Sequence, residues 1–265
     1  MGPAVGGVLY GAALGPGPVY ATCAGLLAAS AVFAFAIHPS AHPPNDEPVT
    51  WDTVLAGFRY VRAHRIILES ISLDLFAVLL GGATSLLPVF ASDVLHVGPA
   101  GFGALGSAPA VGAAAMAVFL AFHPVERRAG STLLAAVTVF GIGTVAFGLS
   151  RSFVLSLVSL AVLGASDMIS VVIRSTVVQL QTPHAMRGRV SAVSMMFVIG
   201  SSQLGGLESG ATAAWLGAVP AVVAGGVGTL VVVALYAACS KLREIYRLDG
   251  EAASPSSPGA GSRGV

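Results

Sequence analysis

Residues 131–180 read STLLAAVTVFGIGTVAFGL, then SRS, then FVLSLVSLAVLGASDMISVVIRSTVVQL. A helix crossing the roughly 30 Å hydrocarbon layer of a bilayer needs about 20 mostly apolar residues. Ser131–Leu149 and Phe153–Leu180 both meet that need. Transmembrane β-strands are only about ten residues long and alternate in polarity, so these runs are helices. Working outward, the same reading applies to Gly17–His38, Ile66–Ala91, Phe102–His123, Val190–Trp215 and Pro220–Cys239. That makes seven expected spans. Met1–Leu14 is apolar but too short to cross, and no basic segment precedes it as in a signal peptide.

Composition agrees with a membrane protein. Of 265 residues, 55% are hydrophobic and only 9% are charged, and the mean hydropathy is +0.85. Soluble chains carry about 25% charged residues, and disorder needs low hydrophobicity with high charge. A net charge of +1 with no basic stripe argues against nucleic acid as a partner. Cys23 and Cys239 cannot build a disulfide framework or a CxxC metal site, and their apolar surroundings predict small buried side chains. Thirty-three glycines suit transmembrane helices, where glycine is enriched.

Lys and Arg gather on alternate connections. Arg59, Arg62 and Arg65 lie in Pro39–Arg65, Arg127 and Arg128 in Pro124–Gly130, and Arg187 and Arg189 in Gln181–Arg189. Lys241, Arg243, Arg247 and Arg263 follow the last span, so eleven of the thirteen basic residues share one side. The opposite side has Arg151 alone, and Arg174 lies inside a span. The positive-inside rule therefore puts the C-terminus in the cytoplasm, and the expected location is a plasma (inner) membrane. The connection after the first span opens with HPSAHPPNDEP, which its prolines keep from being helical. Thr50 can then cap a helix over Trp51–His64. Val54, Leu55, Phe58 and Val61 recur there at helical spacing beside the arginines, as in a helix lying on the inner membrane surface. After Asp249 the Ser/Pro/Gly-rich tail is expected to be disordered.

Four segments resemble the major facilitator superfamily, in its drug-efflux and siderophore-exporter-like branch. Gly2-Pro3-Ala4-Val5-Gly6-Gly7 is similar to the GPxxGG motif of the fifth helix in antiporter members. Leu73-Asp74-Leu75-Phe76, Gly81-Gly82 and Leu86-Leu87-Pro88 resemble the seventh helix. Gly101-Phe102-Gly103 with Ser107-Ala108-Pro109-Ala110-Val111-Gly112 resembles the start of the eighth. Thr182-Pro183 with Arg187-Gly188-Arg189-Val190-Ser191-Ala192 resembles the loop entering the eleventh. The resemblance covers about residues 1–248.

It implies an all-α membrane protein with a major-facilitator-type helical bundle: the C-terminal six-helix half, one preceding span and a partial helix. The expected organisation is 1–38 as the remnant of an N-terminal half, 39–65 as a cytoplasmic linker with an interfacial helix, 66–239 as the six-helix domain, and 240–265 as the tail. The resemblance further implies that the family's first four helices are not in this sequence, and the expectation is a truncated product, a fragment, or a chain that pairs with a polypeptide supplying the N-terminal half. The six spans of 66–239 would be two three-helix repeats of inverted topology. The resemblance also implies that Gly2, Pro3, Gly6 and Gly7 bend the fifth helix and help seal one access state.

Charges inside a span cost at least about 2.5–3.5 kcal/mol near the bilayer centre and are functional candidates. Asp74, Asp167, Arg174 and Glu208 are such residues. Either carboxylate, Asp74 or Asp167, could carry a proton or touch substrate, or could fix helix packing through hydrogen bonds. Arg174 lies seven residues after Asp167, about 10.5 Å along the same helix face. The two could line one cavity or bracket a polar residue of another helix, or Arg174 could snorkel to the interface. Glu208 reads as a rim charge or a site residue, and Glu69 as a solvated end charge. Gln203, Ser201 and Ser202 can hydrogen-bond between helices, and Gly205, Gly206 and Gly210 allow close helix approach. Arg127, Arg128, Arg187 and Arg189 set topology or form a charge latch that opens with the transporter.

The sequence contains no GxxxxGK[ST], HExxH or GxSxG, so it offers no ATP motor, zinc-protease site or nucleophile elbow. The expectation is a non-enzymatic secondary transporter without cofactor or metal, in contact with the lipid bilayer and a small-molecule substrate. Its expected task is proton-coupled efflux of a small amphipathic compound. The competing readings are a non-transporting fragment and a seven-helix receptor or permease subunit of a larger complex. A seven-helix receptor would pack Gly17–His38 into the bundle; a facilitator would leave it apart.

Overall fold

The computed structural model describes residues 16–36, 51–124 and 129–239. The described residues are nearly all helical, with no strand among them. Helix α1 spans Pro16–Ala36, α2 Trp51–Ala63 and α3 Arg65–Leu80. After a 3-10 turn at Gly82–Thr84 come a one-turn helix α4, Leu87–Val89, and a π turn, Phe90–Val94. The longer helices α5 Pro99–Phe122, α6 Ala129–Leu149, α7 Phe153–Gln181, α8 Arg187–Leu216 and α9 Ala218–Cys239 follow. Six helical units among the described residues are long and apolar enough to cross a membrane, Arg65–Val94 counting as one interrupted span. Their ends differ from the expected ones by a few residues, because apolarity marks the hydrocarbon core while helices run on into the interface.

Helix α1 is apolar, yet Tyr20, Leu26, Leu27, Phe33 and Phe35 are all exposed. It makes no substantial contact with the other described helices. The remaining spans pack by exchange between two trios. The first helix of each trio, α3 or α7, packs on the middle helix of the other, α8 or α5, and the third helices α6 and α9 pack together. Inverted three-helix repeats produce this arrangement.

Two interior clusters fill the bundle. One joins Ile67, Ile71 and Leu73 of α3 to Leu133 and Val137 of α6 and Ile173 and Val177 of α7. The other centres on Phe90, Leu105, Phe147 and Leu160, with Phe90 and Phe147 stacked at a centroid distance of 4.7 Å. Backbone contact replaces side chains where α5 meets α7. A Cβ on Gly112 would strike the Ala161 carbonyl, and one on Gly164 would strike the Pro109 carbonyl. Pro109 cannot donate a backbone hydrogen bond, so α5 has a weak point there against a smooth partner surface. Gly217, at φ +90°, supplies the left-handed residue between α8 and α9.

Helix α2 docks on the bundle through part of the apolar set expected to face the membrane. Val61 is buried in the bundle rather than turned to lipid, and a Cβ on Gly57 would sit 2.9 Å from the Arg189 carbonyl oxygen of α8. Tyr60 donates its hydroxyl hydrogen to the Gln181 carbonyl at 2.7 Å. Leu55, Phe58, Arg59 and Arg62 remain exposed. Helical spacing alone could not tell that docking on α8 would split the apolar set. The cysteines also correct an expectation: Cys23 and Cys239 are both exposed. In a bilayer-facing bundle the outer surface is itself apolar, so an apolar run does not imply interior burial. Glu69 pairs with Arg65, one turn before it on α3, at 2.6 Å.

Candidate functional site

Asp74 projects from the middle of α3 and is 4% exposed. Its oxygens meet two groups of α7, one turn apart. Ser170 Oγ donates to Asp74 Oδ1 at 2.9 Å, and Arg174 Nη1 contacts Asp74 Oδ2 as an ion pair. Ser170 and Arg174 are buried as well, at 3% and 7% exposure. Removing two charges from water is costly, and pairing plus a hydrogen bond offsets that cost. Arg174 therefore reaches into the bundle rather than snorkelling outward.

Asp167 stands one turn before Ser170 on α7. It is exposed, where Asp74 is sealed. With Ser166 and Ser170 the two carboxylates line one small cavity. Asp167 also lines a larger cavity of about 170 Å³, whose other wall is the interruption of the first span: Gly81, Gly82, Thr84 and Ser85. Of the two α7 charges, Arg174 pairs with Asp74, and Asp167 shares only the small cavity with it.

The interruption has a local cause. Gly81 closes α3 by donating to the Ala77 carbonyl at 2.8 Å, and the chain then tightens through Ala83 N–H to Gly81 O at 2.6 Å. A helix end leaves its last carbonyls without intrahelical donors, which the membrane interior tolerates only against protein or water. Glycines supply that cover. A Cβ on Gly205 would lie 2.8 Å from the Leu79 oxygen, and one on Gly225 would strike the Leu80 oxygen.

Arg174 borders a third cavity, of about 320 Å³, between α7 and α8. Its polar lining is Arg174, Ser175, Gln179, Ser191 and Ser194.

The remaining candidates fall elsewhere. Glu208 is exposed on α8 and accepts from Thr212 Oγ1 at 3.0 Å, with Ser209 Oγ at 3.4 Å; it lines none of these three cavities. Arg187 donates to the Thr182 carbonyl at 3.1 Å and lies 3.1 Å from His184 Nδ1, which orders the loop entering α8. Arg189 Nη1 approaches Met186 Sδ at 3.6 Å. Gly2, Pro3, Gly6, Gly7, Arg127 and Arg128 lie outside the described residues. Ser201 bonds to Val198 of its own helix rather than across helices, while Ser202 lines the cavity beside Asp167. Sequence reasoning missed Ser166 and Ser170, although Asp167, Ser170 and Arg174 follow helical i, i+3, i+7 spacing.

Comparison with known proteins agrees with this architecture. The family model described as transmembrane secretion effector matches residues 1–259. The enterobactin exporter EntS of Escherichia coli O139:H28 (strain E24377A / ETEC) is 26% identical over 229 residues, which are 86% of this chain and 53% of that protein. EntS of Shigella boydii serotype 18 (strain CDC 3083-94 / BS512) matches over the same extent at the same identity. The chain thus spans about half the length of the curated relatives it matches. No solved structure matches. Six apolar helices in exchanged trios and a family match over nearly the whole sequence lead to one assignment: the chain belongs to the transmembrane secretion effector family of the major facilitator superfamily.

Proposed function

We propose that this chain supplies the C-terminal half of a proton-coupled exporter of a small amphipathic compound, with its C-terminus in the cytoplasm. The observation that carries the reading is the sealed Asp74–Ser170–Arg174 group reached past the accessible Asp167. A proton entering the larger cavity meets Asp167 first and Asp74 behind it. Protonating Asp74 removes one charge of the pair and frees the two helices to shift. That change of partner is a discrete event of the kind two alternating states need. The small polar contacts and glycine-backed carbonyls at the interruption of the first span give α3 a place to bend.

Helices matching the rest of the relatives would cover the exposed faces of α7 and α8, so the working unit includes those helices. Lack of packing by α1 favours this reading over a seven-helix receptor. The relatives are named for enterobactin export, so enterobactin is the first cargo to test. In proteoliposomes holding the protein together with a relative's N-terminal half, an imposed pH gradient should drive enterobactin flux. Asp74→Asn should reduce that flux to the level of empty vesicles. Equal flux with and without the gradient would overturn proton coupling.

A further inference from the structure

The cavity between α7 and α8 is sorted by charge. Its lining has one cation, Arg174, four hydroxyl or amide side chains, and no carboxylate. The neighbouring small cavity, across α7, has Asp74 and Asp167 and no cation. The sorting follows from two stripes at helical spacing. Val171, Arg174, Ser175, Val178 and Gln179 run along α7, and Ser191, Ser194, Met195 and Val198 run along α8. The valines and Met195 give the groove an apolar wall; the guanidinium stands at its buried edge.

We propose that this groove is an anion-binding subsite for the acidic group, a carboxylate or phenolate, of an amphipathic cargo. Arg174 is the anchor and Asp74 is its competitor. The proposal rests on the transport reading above, whose cargo it restricts to compounds with an acidic oxygen. A guanidinium has five N–H donors in a planar fork, and Asp74 engages it through Nη1. An incoming anion can use the face turned to the groove, with Ser175, Gln179, Ser191 and Ser194 as neutral hydrogen-bonding partners. Charge-assisted hydrogen bonds of this kind are roughly twice as strong as neutral ones. The apolar wall then holds the body of the cargo. A compound carrying only a positive charge finds no opposite charge there and meets the repulsion of Arg174.

The test is calorimetric titration of the purified chain, at one fixed pH, with three probes of matched shape: 2-naphthoate, 2-naphthylmethanol and 2-naphthylmethylammonium. Naphthoate should bind at least about tenfold more tightly than the other two. Arg174→Gln should remove that preference, and Arg174→Lys should restore part of it, because lysine keeps the charge but loses the fork. Asp74→Asn should tighten naphthoate binding several-fold, since it removes the competitor. A merely structural pair would instead make both substitutions weaken binding. Gln179→Leu, on the accessible rim and outside the ion pair, keeps the test usable if Arg174→Gln does not fold; it should weaken naphthoate without changing the unfolding temperature. Equal affinity for naphthoate and the alcohol, or weaker naphthoate binding in Asp74→Asn, would overturn the subsite. Naphthoate binding that depends on Arg174 together with flux that ignores the pH gradient would instead sink only the proton-coupling reading.

Discussion

Helices α6 and α3 cross the same bundle under opposite rules. Helix α6 is a continuous 21-residue helix with no charged residue, packed on α9 through Gly141, Gly148 and Gly226. Its Thr144 hydroxyl is buried, but it bonds to the Phe140 carbonyl of the same helix at 2.9 Å. Thr138 likewise bonds within the helix, to the Leu134 carbonyl at 2.7 Å. Helix α3 carries a sealed carboxylate, ends inside the span and relies on α7, α8 and α9 for partners. The lesson is where the bundle keeps its alternatives. The α6–α9 pair meets through glycines and apolar side chains with no charge to re-pair, whereas the α3–α7 pair has groups whose partners can change.

The largest break in this comparison should come from removing one member of the sealed pair. Arg174→Leu leaves Asp74 buried without its cation, a change that costs about 3–5 kcal/mol. Unfolding followed by circular dichroism in detergent should show a loss of that order. Asp74→Asn with Arg174→Gln, which leaves two neutral polar groups facing each other, should recover most of it. No recovery in the double variant would mean that the arginine holds the fold through contacts other than Asp74.

These features were unequally legible in the sequence. Spans such as Phe153–Gln181 stand out because twenty apolar residues in a row have few other fates. The interruption at Gly81–Leu86 does not, since hydropathy averages side chains and is blind to where backbone carbonyls find partners. Asp74, Asp167 and Arg174 are visible as charges out of place, but which of them is sealed is a tertiary fact: Asp74 and Ser170 are 96 residues apart. Glu208 has the same sequence signature and lies outside the three cavities. Gln179 and Ser194 offered no signal, because single polar residues near span ends are ordinary, and Ser191 stood out only as part of the stretch that resembles the loop entering the eleventh helix.

A smaller effect tests the dry contact that holds α7 in place. Gly112→Ala puts a methyl group into the Ala161 carbonyl, which is backbone and cannot swing away. Overpacking of this kind typically costs 1–3 kcal/mol. Gly210→Ala is the matched control, as nothing lies within 4 Å of its Cβ position. The prediction is a lowered unfolding temperature for the first and no loss for the second. Equal stability of the two would mean that α5 and α7 can slide apart at no cost, and α7 would then be as mobile against α5 as against α3.

The smallest effect on stability should come from Asp167→Asn. Its carboxylate is exposed to the larger cavity, unlike Asp74 one helix away. Substitutions at sites without a buried partner stay within about 0.5 kcal/mol. The unfolding temperature should therefore barely move, while gradient-driven flux falls by more than about tenfold if Asp167 relays protons to Asp74. The contrast with Arg174→Leu then separates two kinds of charge in one helix. A charge that holds the fold shows itself by unfolding, and a charge that only passes a proton shows itself by flux alone. If Asp167→Asn unfolds as readily as Arg174→Leu, Asp167 belongs to the sealed group and the route to Asp74 lies elsewhere.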